Sequence, residues 1–204
     1  MQSDPALVSG LIEVCRDVIA ANVDYLCDLD SKIGDGDHGT NMRRGCEAVY
    51  AQREQLADLP VAEALETAGR LLVANVGGAS GPLYGTLLIE IGKRSAAEEE
   101  MTDFADILKH AIDAVARRGH AEIGDKTLLD VLYPIQAKVQ SRTAFVHIAQ
   151  EAERAANETV GMKAMRGRAK FLGERSIGHL DPGASSCALL TGAICAFLKE
   201  QPPR

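Results

Sequence analysis

Apolar residues recur every three or four positions along nearly the whole chain, and this spacing constrains the fold more than any other feature. It matches the period of an α-helix and not that of a β-strand. Aromatic residues make up 4% of the chain and Trp is absent, so the core must be built from Ala, Leu, Ile and Val. Because such residues favour close-packed helices over sheets, we predict an all-α fold without strands.

The periodic segments predict eight helices. The first runs from about Asp4 to Cys27, the seventh from about Ala144 to Thr159, and the eighth from about Ala184 to Lys199. The acidic run Glu98–Glu100 is predicted to be solvated. We find no internal repeat and no linker, so residues 1–204 are predicted to form a single domain. The other five helices are predicted to begin close to Thr40, Pro60, Pro82, Thr102 and Lys126.

Four loops share a composition rich in Gly, Asp or basic residues. If the eight helices alternate in direction, as short connections favour, these loops meet at one end of an antiparallel bundle. The opposite end holds no comparable motif, so we predict one active end. We call the four loops the acidic loop (Asp28–Gly39), the glycine loop (Asn75–Pro82), the GDK loop (Arg117–Lys126) and the basic loop (Gly161–Pro182).

The acidic loop carries Asp30, Asp35 and Asp37 within a short reach. Two such charges ~4 Å apart repel by roughly 4 kcal/mol at an effective dielectric of about 20, so a cation is expected among them. Carboxylate oxygens suit Mg²⁺ or Ca²⁺ rather than zinc. A calcium loop of EF-hand type fails on spacing, because Gly39 and Cys46 stand where it needs ligands. A solvated acidic turn, or a calcium-binding structural bundle, remain as alternatives.

The residues after the aspartates, His38 to Asn41, run into a predicted helix N-terminus, where free N–H groups bind anions. Carboxylates beside an anion site indicate a metal–phosphate ligand. His38 is either a phosphate donor or a capped surface histidine. The segment Gly77–Gly81 is either a second phosphate-binding turn or a tight turn between helices. Asp181 either caps the eighth helix or accepts a hydrogen bond from a base amino group.

Charge and cysteine content exclude several classes of function. The formal net charge of −7 argues against nucleic acid as a partner. We see no long apolar span and no targeting segment, which predicts a cytoplasmic protein without a membrane partner. Five scattered cysteines predict reduced thiols rather than disulfides or zinc, with Cys187 and Cys195 in a helix interface.

Four motifs resemble the nucleotide-binding L subunit of dihydroxyacetone kinase: "IGDGDHGTNM", "NVGGASGPLYGT", "GDKTLLDVLYP" and "LGERSIGHLDPGASS". The resemblance spans nearly the whole chain. It implies eight antiparallel helices arranged as a barrel, with ADP or ATP bound at one end through two Mg²⁺ ions. It also implies phosphoryl transfer, with Asp30, Asp35 and Asp37 as metal ligands. His38 and Arg175 join these aspartates as candidate catalytic residues.

The resemblance implies nucleotide contacts from all four loops and from the residues around them. His38, Gly39, Thr40 and Asn41, with Ala79 and Ser80, would line the phosphates. The remaining contacts would line the nucleoside or close over it: Gly119, Thr127, Leu128, Arg175, Asp181, Pro182 and Gly183. In the basic loop, one or two of five cationic residues would serve phosphoryl transfer; these are Lys163, Arg166, Arg168, Lys170 and Arg175.

The resemblance also implies partners, because no segment resembles the dihydroxyacetone-binding K subunit. A free-standing L subunit favours the phosphotransferase-system type of glycerol metabolism, in which a phosphohistidine M subunit recharges bound ADP. An ATP-exchanging dihydroxyacetone or tetrulose kinase subunit is the alternative, and a nucleotide-sensing regulator without catalysis is another. A homodimer and a contact with a transcription regulator are also expected.

Overall fold

The computed structural model describes residues 4–97 and 103–201. Within these residues the chain forms ten α-helices, two 3-10 helices and no β-strand, which confirms the all-α prediction. The predictions for Thr102 and Glu98–Glu100 lie outside the described residues. The α-helices are α1 Pro5–Ala21, α2 Val23–Ile33, α3 His38–Tyr50, α4 Arg53–Ala57, α5 Val61–Asn75, α6 Ser80–Ala97, α7 Phe104–Gly119, α8 Leu129–Gln140, α9 Phe145–Glu158 and α10 Pro182–Glu200.

The predicted first helix is wrong in one respect, because the chain breaks it at Asn22 into α1 and α2. The Asn22 amide donates to the Val18 carbonyl over 2.8 Å, so its side chain competes with the helical backbone for that acceptor. The short helix α4 was not predicted, since five residues are too few to show a period. Its Leu56 and Ala57 are buried against α1 and α5.

Aspartate side chains cap the N-termini of three helices in the described part of the chain. Asp4 accepts from the Leu7 N–H at the start of α1, and Asp103 accepts from the Ala105 N–H at the start of α7. Asp181 accepts from the Ala184 N–H at the start of α10, where Pro182 occupies the first turn. The structure therefore shows the capping role that the sequence offered for Asp181.

The helices pack in a closed ring. α5, α6, α7, α8, α9 and α10 each contact the next in chain order, α10 also contacts α1 and α2, and α3 connects α1 and α2 to α5. This order of contacts is compatible with an antiparallel barrel. The core consists mainly of Ala, Leu, Ile and Val, with Ile19, Leu26 and Ile112 among its fully buried side chains. The composition of the core is as predicted.

The five cysteines are free thiols, as predicted, and Cys187 and Cys195 are buried. Burial raises the pKa of the Cys187 thiol to about 12, which keeps it protonated and unreactive. α10, which carries both residues, is long and apolar enough by length and composition to cross a membrane. Core helices meet the same criterion, and α10 packs against four other helices, α1, α2, α8 and α9.

Candidate functional site

A cavity of about 870 Å³ opens at one end of the ring of helices, within the size range of small-molecule sites. Residues from the acidic, glycine, GDK and basic loops all line it. The C-terminal ends of α2 and α7 and the N-terminal ends of α3, α6, α8 and α10 meet there. The four loops thus assemble one site, as the alternation of helix directions predicted.

The acidic loop brings three carboxylates together. Oxygen atoms of Asp30, Asp35 and Asp37 lie within 4.8 Å of one another. Asp30 is partly buried at the end of α2, and its Oδ2 accepts from the N–H groups of Asp37 (3.0 Å) and His38 (3.2 Å). This bridge holds the loop closed. Asp37 occupies the N-cap of α3 without using its side chain as a cap, so its exposed carboxylate faces solvent.

These three carboxylates fit a magnesium ion. They supply hard oxygen ligands from a short loop, and two of them are exposed and open to water ligands, which Mg²⁺ retains when it binds proteins. Asp35 pairs with Arg168 of the basic loop, whose guanidinium lies 2.9 Å from its Oδ2. The basic loop therefore reaches across the cavity to the candidate cation site.

Residues at the N-termini of four helices, α3, α6, α8 and α10, line the cavity, so the positive ends of four helix dipoles lie beside it. α6 begins at Ser80, directly after the turn at Gly78 and Ala79. Gly78 has φ 66, a left-handed conformation that a side chain would strain. Several N-termini beside three carboxylates can bind an anion and its counter-cation together.

His38 is buried, with 7% of its surface exposed, so the surface-histidine alternative is wrong. Its Nε2 lies 2.9 Å from the Ser186 hydroxyl and its Nδ1 lies 3.3 Å from the Ser80 hydroxyl. The Ser186 hydroxyl also contacts the Tyr84 hydroxyl (2.8 Å) and the Gly183 carbonyl (3.0 Å). Burial lowers the pKa of His38. The negative charges of Asp30 and Asp37 act in the opposite direction and raise it by less. This network joins α3, α6 and α10 beneath the cavity.

Three further aspartates near the cavity are buried and hold backbone N–H groups. Asp125 accepts from Glu122 (3.0 Å), and Asp130 accepts from Gly124 (2.6 Å) and Thr127 (2.7 Å). Burial raises the pKa of the capping Asp181 to about 7. Each of these carboxylates maintains the shape of the GDK loop or the start of α10.

Most of the predicted site residues line the cavity: Asp30, Asp35, Asp37, His38, Asn41, Ala79, Ser80, Gly119, Thr127, Leu128, Asp181, Pro182 and Gly183. Gly39, Thr40 and Arg175 are not among the lining residues. Gly39 packs against α2 so closely that a Cβ would lie 2.1 Å from the Val23 carbonyl oxygen. Thr40 donates its hydroxyl to the Asp37 carbonyl, and Arg175 is exposed.

Sequence reasoning missed three polar residues of the site: Lys126, Tyr84 and Ser186. All three are buried. Lys126 is 2% exposed, and its ammonium lies within hydrogen-bond distance of four backbone carbonyl oxygens of the basic loop and its flanks. A lysine in a glycine- and aspartate-rich loop gives no signal of burial. Tyr84 and Ser186 follow helix starts at positions where apolar and polar residues are both common.

Comparison with protein families gives a match to the DAK2 domain over residues 32–196. The chain belongs to the DAK2 domain family. Two relatives match this DAK2 domain over most of their own length. The PEP-dependent dihydroxyacetone kinase ADP-binding subunit DhaL of Escherichia coli K12 is 39% identical over 91% of this chain and 93% of the relative. The ADP-binding subunit DhaL of PEP-dependent dihydroxyacetone kinase 1 from Listeria innocua is 38% identical over 86% of this chain and 88% of the relative.

Longer relatives contain a DAK2 domain as one part. L-erythrulose 1-kinase of Mycolicibacterium smegmatis is 34% identical over 92% of this chain, which covers 34% of that relative. The crystal structure of the dihydroxyacetone kinase from C. freundii in complex with AMP-PNP and Mg²⁺ has a TM-score of 0.77 at 23% identity. The superposition covers 97% of this chain and 35% of the kinase chain, and the TM-score shows that the two share a fold.

Proposed function

We propose that this chain is the nucleotide-binding, phosphoryl-transfer subunit of a dihydroxyacetone kinase and that it holds ADP with two Mg²⁺ ions. One observation carries the proposal: three carboxylates converge at a cavity lined by residues from four helix N-termini. Carboxylates alone would suit any hard cation, and N-termini alone any anion. Their combination suits a nucleoside diphosphate with its metal, and the relatives include ADP-binding subunits.

In this proposal Asp30, Asp35 and Asp37 hold the magnesium ions, which offset the charge of the phosphates during transfer. The N–H groups at the starts of α3 and α6, with Ala79 and Ser80, hold phosphate oxygens. The nucleoside lies among Gly119, Thr127, Leu128 and the segment Asp181–Gly183, all of which line the cavity.

His38 and Arg175 have less direct parts in the proposal. Both ring nitrogens of His38 already have hydroxyl partners, so a phosphate contact requires Ser80 or His38 to exchange a partner. Arg175 contacts nucleotide only if the basic loop moves, because it is exposed outside the cavity lining. We assign the general base for the sugar hydroxyl to the partner subunit, because we identify no residue for this role among residues 4–97 and 103–201.

The phosphoryl donor is proposed to be a phosphohistidine M subunit that recharges the bound ADP in place. Relatives that match over nearly their full length are PEP-dependent subunits, and this supports the phosphotransferase-system type. The erythrulose kinases support the alternative, in which ATP exchanges and a tetrulose is phosphorylated, but this chain covers only about a third of them.

A separate K subunit that carries dihydroxyacetone is proposed to dock over the open cavity. Phe171 supports this position, since its side chain is 81% exposed and follows the cavity-lining Ala169 by two residues. Ile123 of the GDK loop, 60% exposed, offers a second apolar contact beside Arg166 and Asp125. A homodimer, a contact with a transcription regulator and a cytoplasmic location complete the proposal.

The test begins with purified protein. We expect bound ADP that is released by heat or by EDTA and is identified by chromatography, at close to one nucleotide per chain. Protein that carries no nucleotide and shows no affinity for ADP–Mg²⁺ in calorimetry would defeat the proposal. Stabilisation by Ca²⁺ without nucleotide would favour a structural bundle instead.

The donor is tested by mixing the chain with a K subunit and dihydroxyacetone. We expect sustained turnover with the phosphohistidine M subunit and at most slow turnover with ATP alone. Multiple rapid turnovers on ATP would support the exchanging-kinase alternative. ADP–Mg²⁺ binding without transfer under either condition would leave a nucleotide sensor.

A further inference from the structure

Lys126 has an unusual environment for a lysine. The side chain is 2% exposed, and its ammonium lies within hydrogen-bond distance of four backbone carbonyl oxygens. The distances are 2.8 Å to Thr159, 3.1 Å to Met162, 2.8 Å to Ser176 and 2.5 Å to His179. Burial lowers the pKa of Lys126, and the charge of Asp181 opposes this shift. A neutral amine would turn its lone pair toward a carbonyl oxygen, so the arrangement favours the protonated form, in which two of the four carbonyls share one of its three N–H donors.

The four carbonyls come from both ends of the basic loop. Thr159 and Met162 precede its protruding part, whereas Ser176 and His179 follow it. A backbone hydrogen bond joins the same two segments: the Gly178 N–H donates to the Val160 carbonyl over 2.8 Å. Lys126 therefore closes the loop at its base, much as a bound cation would, because carbonyl oxygens are also cation ligands.

The protruding part of the basic loop contributes directly to the cavity. Residues 166–169 line it, Arg166 pairs with Asp125 over 2.9 Å, and Arg168 pairs with Asp35 over 2.9 Å. The Arg168–Asp35 pair is exposed and contributes little by itself, whereas the Arg166–Asp125 pair joins a partly exposed guanidinium to a buried carboxylate. The Met165 N–H also donates to the Asp125 carbonyl over 3.1 Å, so the loop is held at the cavity by this bond and the two ion pairs as well as from its base.

We propose that Lys126 is a positioning residue for the nucleotide: its buried ammonium fixes the base of the basic loop and thereby keeps residues 166–169 at the cavity. The inference rests on the proposed function for the identity of the ligand. It assigns Lys126 no contact with a reacting atom. Removal of the ammonium leaves four carbonyls without their donor, so the loop opens while the ring of helices persists.

The test compares Lys126→Ala with Lys163→Ala, a matched control. Lys163 lies in the same loop and pairs with Glu174 over 2.8 Å, but it is exposed and is not among the residues that line the cavity, so the structure does not place this candidate cation at the site. In nucleotide-free Lys126→Ala we expect hydrogen exchange at residues 160–181 to accelerate about tenfold or more. Exchange in α5 and α6 should stay at the wild-type rate. ADP–Mg²⁺ should leave the variant about tenfold faster, with wild-type behaviour in Lys163→Ala.

Chemical rescue separates positioning from general damage to the fold. Methylammonium chloride supplies an ammonium with three N–H donors to the space that the side chain leaves, so it should restore slow exchange and slow ADP release. Tetramethylammonium chloride at equal ionic strength has no N–H donor and should restore neither. If Lys126→Ala cannot be purified, Lys126→Gln, which keeps two N–H donors, is measured in the same way.

Three results would overturn the inference: wild-type exchange in the basic loop of the variant, wild-type ADP release, or faster exchange across all helices alike. If the wild-type chain does not bind ADP–Mg²⁺, the proposed function fails, while the exchange measurement still tests the contact between Lys126 and the loop.

Discussion

Two groups of aspartates surround the same cavity and differ in what their carboxylates contact. Asp35 and Asp37 are exposed, and with Asp30 they lie within 4.8 Å of one another. In the second group, which consists of Asp125, Asp130 and Asp181, each carboxylate is buried and accepts backbone N–H groups. Aspartates in glycine-rich loops can therefore either offer ligands to a cation or stabilise the conformation of the loop backbone. Burial and N–H partners distinguish Asp35 and Asp37 from the second group. Asp30 combines both roles, because its Oδ2 accepts from the Asp37 and His38 N–H groups.

The largest effect should come from the buried group. Asp130→Ala leaves the N–H groups of Gly124 and Thr127 without an acceptor, which should cost about 2–5 kcal/mol of unfolding free energy. For a chain of this size the melting temperature should fall by roughly 10 °C, as thermal unfolding will show. The control is Asp35→Ala in metal-free protein, where the loss of one of three like charges should cost nothing. Equal destabilisation by both variants would remove the distinction.

A substitution in the exposed group should weaken nucleotide binding and leave the stability of the fold unchanged. Asp35→Asn removes a charged oxygen ligand, and we expect ADP–Mg²⁺ to bind about 100-fold more weakly by calorimetry. Helical circular dichroism and the melting temperature of the nucleotide-free chain should be unchanged. A variant that unfolds even in excess ADP–Mg²⁺ would show that the acidic loop is structural.

The titration of Asp181 should give a smaller, pH-dependent effect. Burial and the charge of Asp130 raise the pKa of Asp181 to about 7. The hydrogen bond from the Ala184 N–H and the charge of Lys126 lower it by less. The unfolded carboxyl has a pKa of 3.8, so the bound proton stabilises the folded chain fully below that pH. This stabilisation is lost as the pH rises through about 7.

Asp181→Asn keeps an N-cap but does not titrate. The melting temperature of wild type relative to the variant should fall by up to roughly 10 °C between about pH 4 and about pH 8. A difference that is constant across this range would show that Asp181 stays ionised when folded.

The smallest effect should come from the ion pair that joins the two loops. Arg168→Gln frees Asp35 from a competing cation, so Mn²⁺ should bind the nucleotide-free chain up to about fivefold more tightly in an electron paramagnetic resonance titration. Arg166→Gln is the control, because Arg166 pairs with the buried Asp125 and not with the acidic loop. Equal tightening in both variants would point to net charge rather than to the contact with Asp35.

Much of this arrangement could be predicted from residue spacing. The apolar period gave the helices, and their alternation placed four loops at one end, because both depend on short-range geometry. The break at Asn22 could not be predicted, since it depends on one side-chain bond to Val18. The exclusion of Gly39 and Arg175 from the cavity lining, and the burial of Lys126, depend on contacts between distant segments. Local composition carries no signal for such contacts.

The bond between His38 and Ser186 joins residues 148 positions apart in the chain. During synthesis the acidic loop leaves the ribosome long before the start of α10 does. Until α10 packs against α1 and α2, the cavity lacks one of its four N-termini and the partner of His38. A nascent chain should therefore pass through most of its translation unable to sequester nucleotide from the cell.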